Sequence, residues 1–170
     1  MNPNQDTENF MKVLADHKGI IYKITNAYCQ DPIDRQDLIQ EIILGLWQNF
    51  KKYDSHYRYS TWIYRIALNL AISFYRKETR RKKISDPLTD NVFYLPNAEY
   101  NDGTDKKLLL LQQFSNELKE LDRALLLLYL DEKSHKEIAA IMEISPTNVS
   151  TKIGRIKEAL KLKFSQVKDL

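Results

Sequence analysis

A helical repeat joined to a basic tail is the feature that most constrains this chain. In residues 57–83, YRYSTWIYRIALNLAISFYRKETRRKK, apolar residues recur every three or four positions, which is the spacing of one buried face of an α-helix. Ser60 or Thr61 can cap this helix, because a hydroxyl accepts a hydrogen bond from the free N–H groups of the first turn. The predicted buried face comprises Ile63, Ile66, Ala67, Leu70, Ala71 and Phe74.

A second face of the same helix carries groups that can meet bases and phosphates. It comprises Trp62, Arg65, Asn69, Ser73 and Arg76, and the cations that follow are Lys77, Arg80, Arg81, Lys82 and Lys83. Only Glu78 opposes these cations within the run. The pattern indicates nucleic-acid binding, although a core helix with a solvated basic end has the same pattern.

Composition indicates an all-α chain. At 170 residues it can form one domain or two small ones, and only four glycines, five prolines and few alternating β-branched runs argue against strands. The single cysteine, Cys29, excludes an internal disulfide, and the three histidines lie too far apart in sequence for zinc-ligand spacing. Because no nucleophile–base arrangement or glycine-rich phosphate loop is found either, we expect no enzyme, no cofactor, no metal and no small-molecule substrate.

The N-terminal sequence, MNPNQDTENF, has neither the basic start nor the apolar run of a signal peptide. No stretch of the chain is apolar over a transmembrane length. Export and membrane spanning are therefore not expected, and a reducing cytoplasm is the predicted location.

Two helices are predicted before the basic one. The second begins at Asp34, whose carboxylate can cap it, while Asp37 and Glu41 share its outer face as an i, i+4 pair. That pair can serve the helix dipole or a partner, and Trp47 belongs either to the core or to the same outer face. The predicted core positions are Phe10, Val13, Leu14, Ile21, Ile24 and Tyr28 in the first helix and Leu38, Ile42, Ile43, Leu46 and Phe50 in the second.

Between the second and third helices, aromatic residues alternate with cations. Such a segment suits unpaired bases, because aromatic stacking contributes about 1–3 kcal/mol per base and requires no sequence match. The tyrosines can equally cover the edge of the core. The residues are Lys51, Lys52, Tyr53, Tyr57, Arg58 and Tyr59.

The chain is predicted to divide around an acidic segment. Residues 85–105 contain five acidic residues, two prolines and no basic residue, with too little apolar periodicity to fold alone. We therefore expect a first helical domain over residues 1–84, a linker over 85–105 and a second helical domain over 106–170.

The second domain has the pattern of a helix-turn-helix. A first amphipathic helix buries Leu108, Leu111, Phe114 and Leu118, and Asp122 is predicted to cap the next one. Ser134 and Glu137 then form a capping box that opens a short helix, which a tight turn joins to a longer one. A helical hairpin that does not bind DNA has a similar pattern. The longer helix is predicted to turn Val149, Ile153, Ile156, Leu160 and Phe164 toward the core.

These features together resemble a sigma factor of the sigma-70 family, in the small two-domain group called extracytoplasmic-function (ECF) sigma factors. DLIQEIILGLWQNF resembles regions 2.1–2.2, YSTWIYRIALNLAISFYR resembles regions 2.3–2.4, and SHKEIAAIMEISPTNVSTKIGRIKEAL resembles region 4.2, with the acidic spacer between them. The resemblance covers about Lys18 to Lys163 and implies a region 2 helical bundle and a region 4 helix-turn-helix.

The resemblance also implies a role for each surface. Residues 53–60 match the loop that receives a base flipped from the non-template strand, and the linker matches the segment that threads through the polymerase. The residues matching the surface that docks on the polymerase β′ clamp helices are Asp37, Leu38, Gln40, Glu41 and Trp47. Those implied at the minus-10 element are Tyr53, Tyr57, Arg58, Tyr59, Trp62, Arg65, Asn69, Ser73, Arg76, Lys77, Arg80 and Arg81. Those implied at the minus-35 element are Pro146, Thr147, Asn148, Ser150, Thr151, Lys152 and Arg155.

The chain departs from the family pattern at three positions. Many relatives have Asp where Ser73 stands and Arg where Lys152 stands. Gly154 replaces a bulkier residue, at a cost of about 1 kcal/mol of helix stability relative to alanine. A promoter sequence is therefore not carried over from relatives.

The sequence thus predicts a non-enzymatic sigma factor that directs core RNA polymerase to promoters and helps melt them. Its implied partners are the β′ clamp helices and β flap of the polymerase, double-stranded and melted promoter DNA, and an anti-sigma factor that holds it inactive, in some relatives at the membrane. Two alternatives are a stand-alone helix-turn-helix transcription regulator and a helical sigma mimic that binds only proteins. A stand-alone regulator would not need the tyrosine loop, residues 53–60. A sigma mimic would not need the basic tail, residues 76–83, at the end of the third helix.

Overall fold

The protein is built from helices in two compact units. The computed structural model describes residues 3–85 and 103–167, and within these ranges it contains no strand and no helix long and apolar enough to cross a membrane. The chain divides between Met1–Pro87 and Leu88–Leu170. The helices are α1 (Pro3–Tyr28), α2 (Pro32–Asn49), a 3-10 turn (Phe50–Lys52), α3 (Tyr59–Ser85), α4 (Gly103–Glu117), α5 (Glu120–Leu130), α6 (His135–Met142) and α7 (Pro146–Ser165).

The predicted all-α fold class is confirmed. Most of the predicted acidic linker, residues 86–102, lies outside the described residues. Helix α4 begins at Gly103, three residues before the predicted start of the second domain. The exact limits of the domains and linker stay predictions.

The first unit is a bundle in which α3 packs against both α1 and α2. Because α3 has two helical neighbours, it buries a wider arc than the predicted stripe. Ile63, Ala67 and Ala71 are buried as predicted, and Tyr64 and Leu68 are buried beside them. The other predicted positions on α3, Ile66, Leu70 and Phe74, are only partly buried.

Two predicted caps in the first unit are wrong. Helix α2 begins earlier than expected because the Asp31 carboxylate accepts hydrogen bonds from the N–H groups of Ile33 and Asp34, at 2.8 and 3.0 Å. Asp34 therefore lies inside the first turn. Ser60 and Thr61 also lie inside the first turn of their helix, since α3 begins at Tyr59.

The second unit contains α4 to α7, with its core between α5, α6 and α7. Two expectations for this unit are wrong. Leu108 is 67% exposed rather than buried. Asp122 lies inside the first turn of α5, whose N-cap is Lys119 without a side-chain hydrogen bond.

The predicted capping box and the following turn are present. The Ser134 hydroxyl accepts from the Glu137 N–H at 3.2 Å, and the Glu137 carboxylate accepts from the Ser134 N–H at 2.9 Å. Helix α6 ends at Met142, and its C-cap Glu143 has a left-handed φ of 55°. Ser145 caps α7 by accepting from the Asn148 N–H at 3.1 Å. This turn fixes how α7 leaves α6, as a helix-turn-helix requires.

Candidate polymerase and nucleic-acid interfaces

The outer face of α2 presents most of the predicted docking residues. Asp37, Gln40 and Glu41 are exposed, and Trp47 is 39% exposed. The Trp47 ring meets the Phe10 ring edge to face, with centroids 5.1 Å apart, so Trp47 is anchored on α1 as well as presented outward. Leu38 is fully buried in the core and cannot contact a partner directly, which corrects its assignment to this surface.

An apolar groove lies beside these residues, between α1 and α2, and was not predicted from the sequence. It is open and has a volume of about 360 Å³. Two of its residues, Met11 and Leu44, are more than half exposed, at 57% and 55%. Leu44 follows Asp37 and Glu41 at helical spacing, which is the signal that could have identified it. The groove is lined by Thr7, Phe10, Met11, Gln40, Ile43, Leu44 and Trp47.

The tyrosine loop contains a short aromatic stack. The rings of Tyr53 and Tyr59 are nearly parallel, with centroids 4.2 Å apart, and Tyr59 is nearly parallel to Phe50 at 6.5 Å. The Trp62 ring meets Tyr53 edge to face at 5.4 Å. Partial burial raises the pKa of the Tyr53 phenol. Because their rings stack on each other and on Phe50, Tyr53 and Tyr59 help to hold the loop against the helices. This agrees, for these two residues, with the alternative that the tyrosines cover the edge of the core.

The predicted reading face of α3 follows this loop along the chain, and three of its five residues are exposed. Asn69, Ser73 and Arg76 are exposed along it, while Trp62 and Arg65 are partly buried near its start. This spacing brings an indole, two guanidinium groups, an amide and a hydroxyl to one side of the helix.

The basic end of α3 is exposed at nearly every predicted position. Lys77, Arg80 and Arg81 are exposed, and Arg58 is exposed in the preceding loop. Arg81 forms an ion pair with Glu78 at 2.9 Å. The end of α3 therefore presents exposed cationic side chains of the kind that bind phosphates.

The start of α7 presents the predicted minus-35 residues. Lys152 is partly buried, and the Thr151 hydroxyl donates to the Thr147 carbonyl at 3.1 Å. Val149 and Ile153 are buried, as predicted. The exposed members of the set are Pro146, Thr147, Asn148, Ser150, Thr151 and Arg155.

Comparison with known proteins agrees with this arrangement. Residues 13–81 match the family model of sigma-70 region 2, and residues 108–160 match that of sigma-70 region 4. The ECF RNA polymerase sigma factor SigM of Bacillus subtilis is 28% identical over 86% of this chain and 89% of its own length. The ECF RNA polymerase sigma-E factor of Escherichia coli K12 is 26% identical over 92% of this chain and 86% of its own length.

Solved structures show the same fold. The sigma factor RpoE of Bartonella quintana, solved with the anti-sigma factor NepR, superposes with a TM-score of 0.75 at 17% identity and covers 95% of this chain and 99% of its own. CnrH, solved with the cytosolic domain of CnrY, has a TM-score of 0.69, also at 17% identity. The match covers 95% of this chain and 91% of CnrH.

The two matched regions, in this order, are those of a protein that selects promoters. This chain belongs to the sigma-70 family of RNA polymerase sigma factors, in the extracytoplasmic-function group. It directs promoter-specific transcription initiation, and neither a stand-alone regulator nor a sigma mimic is favoured. Sigma factors are in general initiation factors rather than enzymes.

Proposed function

We propose that the exposed face of α2 and the adjoining groove form the surface that docks on the β′ clamp helices of core polymerase. The observation that carries this proposal is the juxtaposition of acidic and apolar groups, with Asp37 and Glu41 exposed on α2 and Leu44 and Trp47 bordering the groove. A partner helix with an apolar stripe and basic flanks complements this surface, since apolar anchors supply affinity and charges supply orientation.

The loop and α3 would recognise and open the minus-10 element. Extruding a base costs a few kcal/mol of stacking, so an aromatic loop that stacks the extruded base favours strand separation. The side chains of Trp62, Arg65, Asn69, Ser73 and Arg76 follow one another along α3 and would read the element. The basic end of the helix would bind the phosphate backbone without sequence preference.

The start of α7 would read the minus-35 element in the major groove. Its short polar side chains can approach base edges, and Lys152 or Arg155 can reach guanine or phosphate. The same unit would contact the β flap of the polymerase. The acidic linker would thread through the polymerase toward the active-centre cleft, and catalysis would belong entirely to the polymerase.

An anti-sigma factor is the proposed regulator. The two solved neighbours named above were determined with partner proteins, one of them named as an anti-sigma factor. This chain would act in the cytoplasm, where the polymerase works, and its regulator could hold it at the membrane.

Reversal of charge on α2 tests the docking surface. Asp37→Lys combined with Glu41→Lys is expected to weaken binding of core polymerase at least about tenfold, because like charges then face the partner. Leu44→Glu is expected to weaken it about 30-fold, since a carboxylate would enter the apolar groove. Binding is measured by fluorescence anisotropy of the labelled full chain titrated with core polymerase.

The matched control is Asp16→Lys combined with Glu132→Lys, which makes the same change of charge at two other exposed positions. This control should bind core polymerase as the wild type does. If the α2 variants fold, as circular dichroism can verify, and also bind like the wild type, the docking surface lies elsewhere.

A further inference from the structure

The basic tail of α3, residues 76–83, contains one carboxylate among six cations. That carboxylate is Glu78, whose side chain is only 16% exposed, whereas the side chain of Arg81 is 68% exposed. Arg81 Nη2 lies 2.9 Å from Glu78 Oε2. Glu78 therefore takes one cation of the tail as its partner.

Glu78 lies on the side of α3 opposite the proposed reading face. Arg76 and Arg80 are one turn apart and both exposed, so Arg80 continues the line of that face. Glu78 is two residues from each of them, which is about 200° of rotation around the helix. Arg81 lies between the two sides, and its pairing with Glu78 draws its guanidinium group away from the side that would meet DNA.

The Glu78 carboxylate is held toward the helical bundle. Its Oε2 atom is closed off from solvent. Its charge also acts on the buried Cys29 at the end of α1: burial is the largest cause of the raised pKa of that thiol, and the charges of Asp34 and Glu78 raise it as well. Glu78 is thus the fixed member of the ion pair, and the exposed Arg81 side chain bends toward it.

The ion pair contributes little to the stability of the helix. Arg81 is mostly solvated, and pairs between residues three apart on a helix surface are weak. Partial burial of the carboxylate opposes even this small gain. The charge of Glu78 matters more for DNA binding, because each cation that meets a phosphate releases counterions and raises affinity.

We infer that Glu78 is an internal counter-charge that withholds Arg81 from the DNA backbone and so limits the affinity of the chain for DNA of any sequence. Phosphates are the same in every duplex, so one more phosphate contact would strengthen binding to non-promoter DNA as much as to promoters. Because non-promoter sites far outnumber promoters, a weaker phosphate interaction leaves more of the holoenzyme free to find promoters. The inference rests on the proposed function, in which the end of α3 contacts phosphates.

The salt dependence of DNA binding tests this inference. Core polymerase carrying the full chain is titrated against a labelled promoter fragment, and against the same fragment with both promoter elements scrambled, at a series of NaCl concentrations. Glu78→Gln removes the charge and keeps the size of the side chain. It is expected to tighten binding to both fragments about tenfold at about 50 mM NaCl, and to steepen the slope of log K against log [NaCl] by about 0.9, the value for one further phosphate contact.

A double-mutant comparison assigns the effect to Arg81. Arg81→Ala should make the slope shallower by about 0.9 in the Glu78→Gln background and by much less in the wild-type background. Glu78→Ala, measured in parallel, should behave as Glu78→Gln does, so a folding defect in one variant is not decisive. Asp16→Asn makes the same change of net charge at an exposed position of α1 and should leave the slope unchanged.

Two results would overturn the inference: slopes in Glu78→Gln and Glu78→Ala equal to that of the wild type, or an equal effect of Arg81→Ala in the two backgrounds. Failure of the proposed function is distinguishable, because the wild-type holoenzyme would then bind both fragments equally and give no promoter-specific start sites. A wild type that prefers the promoter fragment, together with an unaltered slope in Glu78→Gln, would remove only the role of Glu78.

Discussion

At the scale of single residues, the two buried polar side chains in the described part of the chain, those of Thr25 and Arg123, donate to backbone carbonyls. Arg123 is only 3% exposed, and its guanidinium group donates to the carbonyls of Ser115, Asn116 and Leu118 near the end of α4. The last carbonyls of a helix have no N–H partner within it, and the Ser115 carbonyl here also accepts from the Leu118 N–H at 3.1 Å. One arginine therefore supplies donors to several carbonyls at once. Arg123 is therefore a structural link between α4 and α5.

Cys29 gives a prediction about pH. The residue is 5% exposed, and burial raises the pKa of its thiol from 9.0 to about 11. Between these values the thiol ionises in the unfolded chain before it ionises in the folded one. The free energy of unfolding should therefore fall as pH rises from 9 to 11, by up to about 2.7 kcal/mol from this group.

Cys29→Ala isolates this contribution, because lysine and tyrosine side chains titrate in both proteins alike. Urea unfolding of the two proteins is compared from pH 7.5 to pH 11. The stability advantage of the wild type should be constant below pH 9 and shrink above it. An advantage that stays constant up to pH 11 would contradict the raised pKa.

At the scale of elements, the sequence predicted the order of the helices better than their first residues. Asp31 and Asp34 are both residue types that can cap α2. The cap is the one whose carboxylate precedes the first turn, and that residue is Asp31. Pro32, a residue favoured at the first helical position, was the signal for Asp31. The Ser134 and Glu137 box was predictable because two residues at fixed spacing satisfy each other's backbone.

Leu38 shows the limit of assigning roles by resemblance. Helical periodicity predicted that Leu38 points into the core, whereas the resemblance to the family implied that it docks on polymerase. The structure buries it completely. Leu44, which periodicity leaves on the outer face, borders the groove instead. For these two leucines, helical periodicity predicted burial and exposure more accurately than the resemblance to the family did.

Two helical glycines give opposite expectations for stability. A Cβ at Gly154 would have no heavy atom within 4 Å, whereas a Cβ at Gly45 would lie 2.7 Å from Leu70 Cδ1. Gly154→Ala should therefore raise the free energy of unfolding by about 1 kcal/mol. In Gly45→Ala the same gain in helix stability is offset by the cost of moving the Leu70 side chain away from the new Cβ. Urea unfolding followed by circular dichroism measures both, and equal gains at the two sites would contradict this account.

Arg155 tests the assignment of α7 to the upstream element. Because its guanidinium group is exposed on the proposed groove face, Arg155→Ala should weaken minus-35 binding by about 1–3 kcal/mol. Footprinting of the holoenzyme on promoter DNA reports the change. Lys161→Ala removes an exposed cation nearly two turns further along α7 and should have a smaller effect. Unaltered protection of the upstream element in Arg155→Ala would remove Arg155 from that interface.

At the scale of the whole molecule, the predicted class of fold and the family are confirmed. Helical periodicity predicts the fold class, because it is repeated over long segments of the chain. The family follows instead from the sequences of the two matched regions. The contacts that define the aromatic loop were not predictable, since the meeting of Phe50, Tyr53, Tyr59 and Trp62 depends on the path of a short irregular segment. The groove between α1 and α2 was missed because it combines residues of two helices.

This chain gives core RNA polymerase its choice of promoter. In vitro transcription of genomic DNA fragments by core polymerase, with and without the chain, tests it most directly when transcript 5′ ends are mapped. We expect a discrete set of new start sites that share upstream elements and appear only when the chain is present. The same start sites with and without the chain would contradict it.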